Sequence, residues 1–196
     1  YSDYGYYFVT DQLHLQKLIE KNVTSYDTNS MIEVDWYTSL CVHEKDSINL
    51  IDPNGQFGGG REFYGEFFNT RNKSGSFSFE LNNVRTDLLA TCVVDLAAFS
   101  GEITPIQILY AGSTASAKIK AVSVADYHTK AERAKVEMSV QPTSTTTQSV
   151  RIQFKGTNSA AMAYLNYIEM NVPCSLTMVG DELAILNTEY LGSTKS

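Results

Sequence analysis

The sequence predicts an all-β protein, specifically an antiparallel β-sandwich of jelly-roll kind. Twelve tyrosines and nine phenylalanines stand against a single tryptophan, and this composition favours strands over helices. Short segments of alternating apolar and polar residues recur roughly every ten residues and are separated by turn residues, as in all-β sandwiches. The chain shows no βαβ alternation and no internal repeat of fixed period. Its 196 residues are enough for one large domain.

The first part of the chain predicts three strands, a turn and a fourth strand. Residues 4–10 and 13–22 are expected to pair as a hairpin, although leucines and an isoleucine in 13–22 also fit a short helical stripe. Residues 30–46 form an extended segment, because apolar residues alternate there and are expected to form one buried face: Ile32, Val34, Trp36, Leu40 and Val42. The Pro-Asn-Gly and triple-glycine sequences predict a turn over 50–60, and a strand follows it.

The second part of the chain predicts further strands joined by short loops. A turn is expected over 71–75, a polar hairpin loop over 142–148, and strands over 76–81, 91–100, 105–112, 116–125, 127–141, 149–156 and 160–172. In the strand 149–156, Val150, Ile152 and Phe154 alternate with polar residues and predict a buried face.

The last strand and the residues after it suggest a domain boundary. Tyr164, Asn166, Ile168 and Met170 are predicted to share one face of this strand, opposite Leu165, Tyr167 and Glu169. We expect a β-sandwich domain over 1–173 and, over 174–196, a C-terminal extension or the start of a following module.

Charge and hydropathy exclude several classes of partner. The net charge is −7, so neither the basic face of a nucleic-acid-binding protein nor attraction to an anionic membrane is expected. No run of eighteen apolar residues is present, so membrane insertion is not expected. The chain carries neither an initiator methionine nor a signal peptide, and we interpret it as a mature or excised piece of something longer.

Cysteine and histidine offer one weak catalytic candidate. The three cysteines, Cys41, Cys92 and Cys174, are odd in number and widely spaced, so a disulfide framework is excluded and buried free thiols are expected. Cys41 and His43 are two residues apart in an extended segment and should share a face, as a thiol nucleophile and its base would. No nucleophile turn accompanies them, and His14 and His128 are expected to face solvent.

Metal and phosphate sites receive little support. Glu44 and Asp46 should share a face and would suit calcium, whereas the Asp-Pro-Asn-Gly sequence at 52–55 fits a turn better than a calcium loop. The glycines at 58–60 lack the lysine and the helix of a phosphate loop. We therefore expect no cofactor, no metal and no catalytic residue in this chain.

The sequence GGGREFYGEFF, Gly58–Phe68, has a mixed charged and aromatic character that requires an explanation. In a strand, Arg61 and Glu62 would point to opposite faces, and each face would mix charge with aromatic surface. Because an unpaired buried charge is too costly, Arg61 and either Glu62 or Glu66 should be paired or lie at the rim of the sandwich. Gly65 is expected to mark a bulge or close packing.

This region carries a family resemblance. The segment His43–Phe68 resembles the N-terminal region of PorU-like proteins, which are gingipain-type cysteine peptidases acting as sortases of the type IX secretion system. The flanking sequences YYFVT and LNYIEMNV also resemble that family. The family often has tryptophan at the position of Phe63. The resemblance identifies these structural motif residues: Asn49, Gly60, Arg61, Glu62, Phe63, Tyr64, Gly65 and Glu66.

The resemblance implies a non-catalytic domain. The family's catalytic histidine and cysteine lie in a peptidase domain further along, so none is transferred to this chain. The implied role is an N-terminal structural or interaction domain that supports the downstream peptidase domain, or docks cargo or secretion components, at the outer membrane or cell surface. The implied parent removes a sorting domain from cargo and attaches the cargo to lipopolysaccharide. Two alternatives remain open: a carbohydrate-binding module, suggested by the abundant tyrosines, and an enzyme using Cys41 and His43.

Overall fold

The structure, a computed structural model, describes residues 34–51, 59–123, 129–180 and residue 185. The chain divides into two compact units, and all of these residues belong to the unit Glu33–Ser193. The predicted strands over 4–10 and 13–22, the turn over 52–55, and His14 and His128 lie outside the described residues.

The described part of the chain is entirely β-structure, as predicted. It contains no helix, and therefore none long and apolar enough to cross a membrane. Its nine strands are β1 (Trp36–Glu44), β2 (Phe67–Phe68), β3 (Ser74–Glu80), β4 (Ala90–Phe99), β5 (Thr104–Tyr110), β6 (Ser113–Ile119), β7 (Glu132–Val140), β8 (Thr147–Phe154) and β9 (Met162–Ser175).

The strands form two antiparallel sheets. One has five strands in the order β1-β9-β4-β7, with β2 also pairing with β9, and the other has the order β3-β8-β5-β6. Leaving aside the two-residue β2, eight strands are divided equally between the sheets and the chain passes repeatedly from one sheet to the other, which is a jelly-roll arrangement. The predicted antiparallel β-sandwich is confirmed.

The core lies between the two sheets and is built by alternation along each strand. In β8, Val150, Ile152 and Phe154 are buried, as their spacing predicts. Leu96 of β4 and Ile108 of β5 belong to the same apolar cluster. Burial of each such side chain adds about 1.5–3 kcal/mol to the free energy of unfolding relative to an exposed position. The stability of the sandwich therefore depends on these inward-facing rows.

The predicted buried face of β1 is wrong. Leu40 and Val42 are 55% and 52% exposed, whereas Tyr37 and Cys41 pack against the core. Among the described strands β1 lies at an edge of its sheet, and from Leu40 onward the side chains of its outer face are exposed. Its inner face carries residues less apolar than leucine and valine, and the alternation therefore suggested the opposite orientation.

The predicted hairpin over 142–148 is also wrong. β7 pairs with β4 and β8 pairs with β3 and β5, so this loop connects one sheet to the other. Its polar turn residues show that the chain turns but do not show which strand becomes the next partner. Two smaller differences concern element bounds. The turn predicted over 71–75 is shorter, since β3 already begins at Ser74. The strand predicted over 116–125 is shifted, since β6 begins at Ser113 and ends at Ile119.

The predicted faces of β9 hold only in part, because the strand contains a β-bulge. Asp95 of β4 is opposite Tyr167, but the next residue, Leu96, is opposite Leu165, so Asn166 has no partner on β4. The extra residue reverses the alternation. Leu165 therefore shares the buried core side with Ile168, in contrast to the prediction that placed them on opposite faces.

Candidate functional site

The motif segment, residues 59–68, pairs with the part of β9 that lies beyond the end of β1. β1 pairs with β9 only as far as Tyr167. Beyond that point the N–H of Gly65 donates to the carbonyl of Leu165 at 2.7 Å, and the N–H of Leu165 donates to the carbonyl of Glu66 at 2.8 Å. The segment is not the continuous strand that was predicted. Its backbone pairs at Tyr64, which bridges to Ile48, and again at β2.

Asn49 fixes the glycine turn that leads into the motif segment. Its side chain is largely buried, and Nδ2 donates to the carbonyl of Gly59 at 2.7 Å, while Oδ1 accepts from the N–H of Ile51 at 2.9 Å. Gly60 has a φ of +54°, and a Cβ there would lie 2.9 Å from Asn49 Nδ2. Both the backbone conformation and the close approach therefore require glycine.

The middle of the motif segment packs tightly against residues 45–48. A Cβ at Gly65 would lie 2.9 Å from the carbonyl oxygen of Lys45, so this glycine serves close packing, one of the two roles expected for it. Tyr64 is 4% exposed, and its carbonyl accepts from the N–H groups of Ser47 and Ile48. Because Tyr64 and Gly65 are adjacent and both buried, the segment cannot alternate as a regular strand does.

An ionic cluster on the outer face of the five-stranded sheet anchors the motif segment. Arg133 of β7 donates through one terminal nitrogen to Asp95 Oδ2 at 2.9 Å, and through the other to Glu62 Oε1 at 2.5 Å. The Asp95 side chain is 6% exposed. In the orientation that satisfies its amide, Asn166 donates to the carbonyl of Phe63 at 3.3 Å and accepts from Arg133 at 3.2 Å. The residue at the β9 bulge thus helps to hold the motif.

These contacts shift the pKa of two members of the cluster. The pKa of Arg133 is raised, chiefly by its hydrogen bond to Asp95. The pKa of Tyr64 is raised by burial and then by the negative charge of Glu62, to which its hydroxyl donates at 3.4 Å. Both groups therefore keep their protons at neutral pH, and both remain hydrogen-bond donors to the carboxylates of the cluster.

Arg61 is not the ionic partner that the sequence suggested. It is exposed and forms no hydrogen bond or ion pair with another described residue. Both glutamates are paired, Glu62 with Arg133 and Glu66 with His43 at 3.2 Å. Sequence reasoning missed Arg133, since no local pattern links it to a segment so distant in sequence.

Arg61 lines an open cavity of about 410 Å³ together with Leu50, Ile51, Glu62, Tyr64, Thr129, Lys130, Ala131 and Arg133.

The predicted Cys41 and His43 pair does share a face of β1, but the contacts do not form a catalytic dyad. His43 contacts Glu66 and stacks on Phe77 with ring centroids 4.7 Å apart. Burial raises the pKa of the Cys41 thiol, which keeps it protonated, whereas a nucleophile needs a thiolate. The other two cysteines are buried free thiols, with pKa values raised by burial to about 12 for Cys92 and about 11 for Cys174.

The calcium candidates Glu44 and Asp46 are both exposed. Within the described ranges, no group of three or more Asp, Glu, His or Cys side chains is placed to hold a metal ion.

No family model matches the chain, and no curated protein matches it. Among solved structures, the chain is similar to dimeric latent PorU from Porphyromonas gingivalis, with 18% identity and a TM-score of 0.65 over 78% of this chain and 14% of that chain. A carbohydrate-binding module, CBM36 in complex with calcium and xylotriose, is 14% identical over 67% of this chain and 98% of that module, with a TM-score of 0.38. The insecticidal delta-endotoxin Cry8Ea1 from Bacillus thuringiensis is 14% identical over 54% of this chain and 19% of that chain, with a TM-score of 0.35. At TM-scores below 0.5, the last two likenesses do not establish a shared fold. The chain therefore has the fold of one portion of PorU, and it spans 14% of that protein's length.

Proposed function

We propose that this chain is a non-catalytic N-terminal domain of a PorU-like sortase, supporting a downstream peptidase domain or docking cargo or secretion partners. The proposal is supported by the likeness to PorU, which extends over 78% of this chain with a TM-score of 0.65. The family resemblance of the motif around Gly60–Glu66, which pairs with β9 of the same sandwich, adds to the support.

The structural part of this role depends on one observation: three polar side chains of the motif, those of Asn49, Glu62 and Glu66, are occupied by contacts within the domain, whereas Arg61 is exposed. Asn49 binds the glycine turn, Glu62 binds Arg133 and Glu66 binds His43. Groups used in this way hold the motif segment against the sandwich and are not available to act on a substrate. The motif therefore serves the integrity of the domain.

The role of the parent protein follows from the same proposal. A PorU-like parent would be a gingipain-type endopeptidase and sortase of the type IX secretion system, located at the outer membrane or cell surface. Its peptidase domain would act on secreted cargo, and the sandwich would keep that domain correctly placed or present a surface to its partners.

The decisive experiment begins with the complete coding sequence. We expect a cysteine peptidase domain with a histidine and cysteine pair downstream of the sandwich, and a gene without one would refute the proposal. In the full-length protein, Asn49→Ala should reduce the amount of mature protein and the removal of the sorting domain from cargo, because it releases the glycine turn. Arg61→Ala is the matched control, since that side chain is exposed and should leave both quantities unchanged.

A glycan array on the 196-residue chain separates the alternative. Saturable binding to a defined glycan, together with normal cargo processing by a full-length protein lacking this domain, would favour a carbohydrate-binding module. Absence of binding across the array would remove that alternative.

A further inference from the structure

A second open cavity, called the hollow below, lies on the four-stranded sheet, where β3 begins and β8 ends. Lys73 precedes β3 and Lys155 follows β8, while Arg151 projects from the outer face of β8. The N–H of Phe154 donates to the carbonyl of Lys73 at 2.8 Å, which holds the two strand ends together. These three cationic residues line the hollow, which has a volume of about 320 Å³.

The charge of this hollow is opposite to that of the whole chain. The protein carries 22 acidic and 15 basic residues, yet the lining contains three cations and no carboxylate. Its remaining members are Ser74, Gln153, Phe154, Gly156 and Thr157. One acidic residue, Glu102, lines an adjoining hollow that shares Lys155, Gly156 and Thr157 with this one. Clustered cations at a concave surface concentrate positive potential there and attract anions.

The cations of this hollow are accompanied by neutral hydrogen-bond donors. The Arg151 side chain has one hydrogen bond among the described residues, a 3.5 Å contact with Ser74 Oγ, so its guanidinium retains free donors. The backbone N–H groups of Gly156 and Thr157 have no acceptor within the described part of the chain. A Cβ at Gly156 would lie 2.6 Å from the Phe154 ring, so glycine allows the backbone to approach the end of β8.

We propose that this hollow binds a tetrahedral oxyanion, a phosphate or sulfate group carried by a larger ligand. A guanidinium fork with two ammonium groups, hydroxyls and backbone N–H groups matches the several oxygens of such a group. A carboxylate offers two oxygens in one plane and would leave part of this donor set unused. The site is independent of the function proposed above, because no residue of the motif segment contributes to it.

The test is a titration of the ¹⁵N-labelled 196-residue chain, followed by two-dimensional NMR at neutral pH. Inorganic phosphate and inorganic sulfate are the probes, sodium chloride at matched ionic strength is the blank, and acetate represents a carboxylate. We expect saturable shifts of the Gly156 and Thr157 amides with phosphate or sulfate. Arg151→Gln should weaken the affinity at least about tenfold, as the loss of a charge-assisted contact predicts.

Two further variants make the result specific. Lys155→Gln removes another lining cation and should also weaken binding, which keeps the test valid if Arg151→Gln does not fold. Lys118→Gln alters an exposed lysine on β6, outside the lining, and should leave the affinity unchanged within about twofold. The proposal is wrong if the shifts match those in sodium chloride, if acetate binds as tightly, or if Lys118→Gln weakens binding as much as Arg151→Gln.

Discussion

Arg133 is the side chain that joins the outer face of β4 to the motif segment, and Arg133→Ala should destabilise the domain. The Asp95 side chain is 6% exposed, and Oδ2 accepts from Arg133 while Oδ1 has no partner among the described residues. Removing one member of a buried ion pair typically costs about 3–5 kcal/mol. Arg133 is itself 46% exposed, so water can reach part of the vacated space and reduce this cost.

Loss of the ion pair between Arg133 and Glu62 of the motif segment adds a smaller destabilisation. Glu62 is 55% exposed, and surface pairs of this kind contribute less than about 1 kcal/mol. Together these terms predict that Arg133→Ala lowers the free energy of unfolding by about 2–4 kcal/mol. Arg61→Ala, which removes an exposed arginine from the same region, should change it by less than about 0.5 kcal/mol.

The assay is urea unfolding of the 196-residue chain followed by far-UV circular dichroism, for the wild type and both variants. A double variant, Arg133→Ala with Asp95→Ala, should be less destabilised than the sum of the single changes, because the buried carboxylate is removed together with its partner. Equal stabilities of Arg133→Ala and Arg61→Ala would refute this reasoning and show that Asp95 does not depend on Arg133.

Three further predictions concern other parts of the domain. Gly60→Ala should lower the melting temperature, because it forces a side chain into a φ of +54° with its Cβ 2.9 Å from Asn49 Nδ2; an unchanged melting temperature would contradict the tight turn. Cys41 should react slowly with iodoacetamide at neutral pH and faster as the pH rises through its raised pKa; a rate equal to that of the unfolded chain at pH 7 would contradict its burial. Arg85 lowers the pKa of Asp87 from 3.8 to about 2, so this pair stabilises the fold above pH 3.8 and loses that effect as the pH falls through about 2. In acid titrations followed by circular dichroism, Asp87→Asn should therefore lose less stability than the wild type in that range, and identical titrations would exclude the pair as a contributor.

The sequence predicts a strand and its orientation well where one face of the strand is buried and the other is in water. In β8, one face lies on the core and the other in water, so Val150, Ile152 and Phe154 identify both the strand and its orientation. In β1, which lies at an edge among the described strands, the apolar residues Leu40 and Val42 lie outward, and alternation alone points to the wrong face. Alternation therefore gives the orientation of a regular strand with one buried face, as in β8, and it fails for β1 and at the bulge of the central strand β9.

The candidate site could be predicted only in part, for a different reason. The glycines of the motif indicate a turn and a close approach locally, and the structure has both at Gly60 and Gly65. The partners of Glu62 and Glu66 depend on which strands become neighbours. Arg133 is brought to Glu62 by pairing of β7 with β4, and this register is not visible in the sequence around either residue.

The position of β9 has a consequence for how the domain is made. β9 is the last described strand in chain order, yet it lies between β1 and β4, and Trp36 pairs with Ser175. During synthesis on the ribosome, β1 lacks its described partner until β9 has been made, when nearly the whole domain has emerged. Before that point, β7 is the one described strand with which β4 can pair. Pairings so distant in sequence slow folding and leave strand edges exposed in the nascent chain. A chain that stops before Met162 should therefore be a substrate for chaperones rather than a smaller version of this domain.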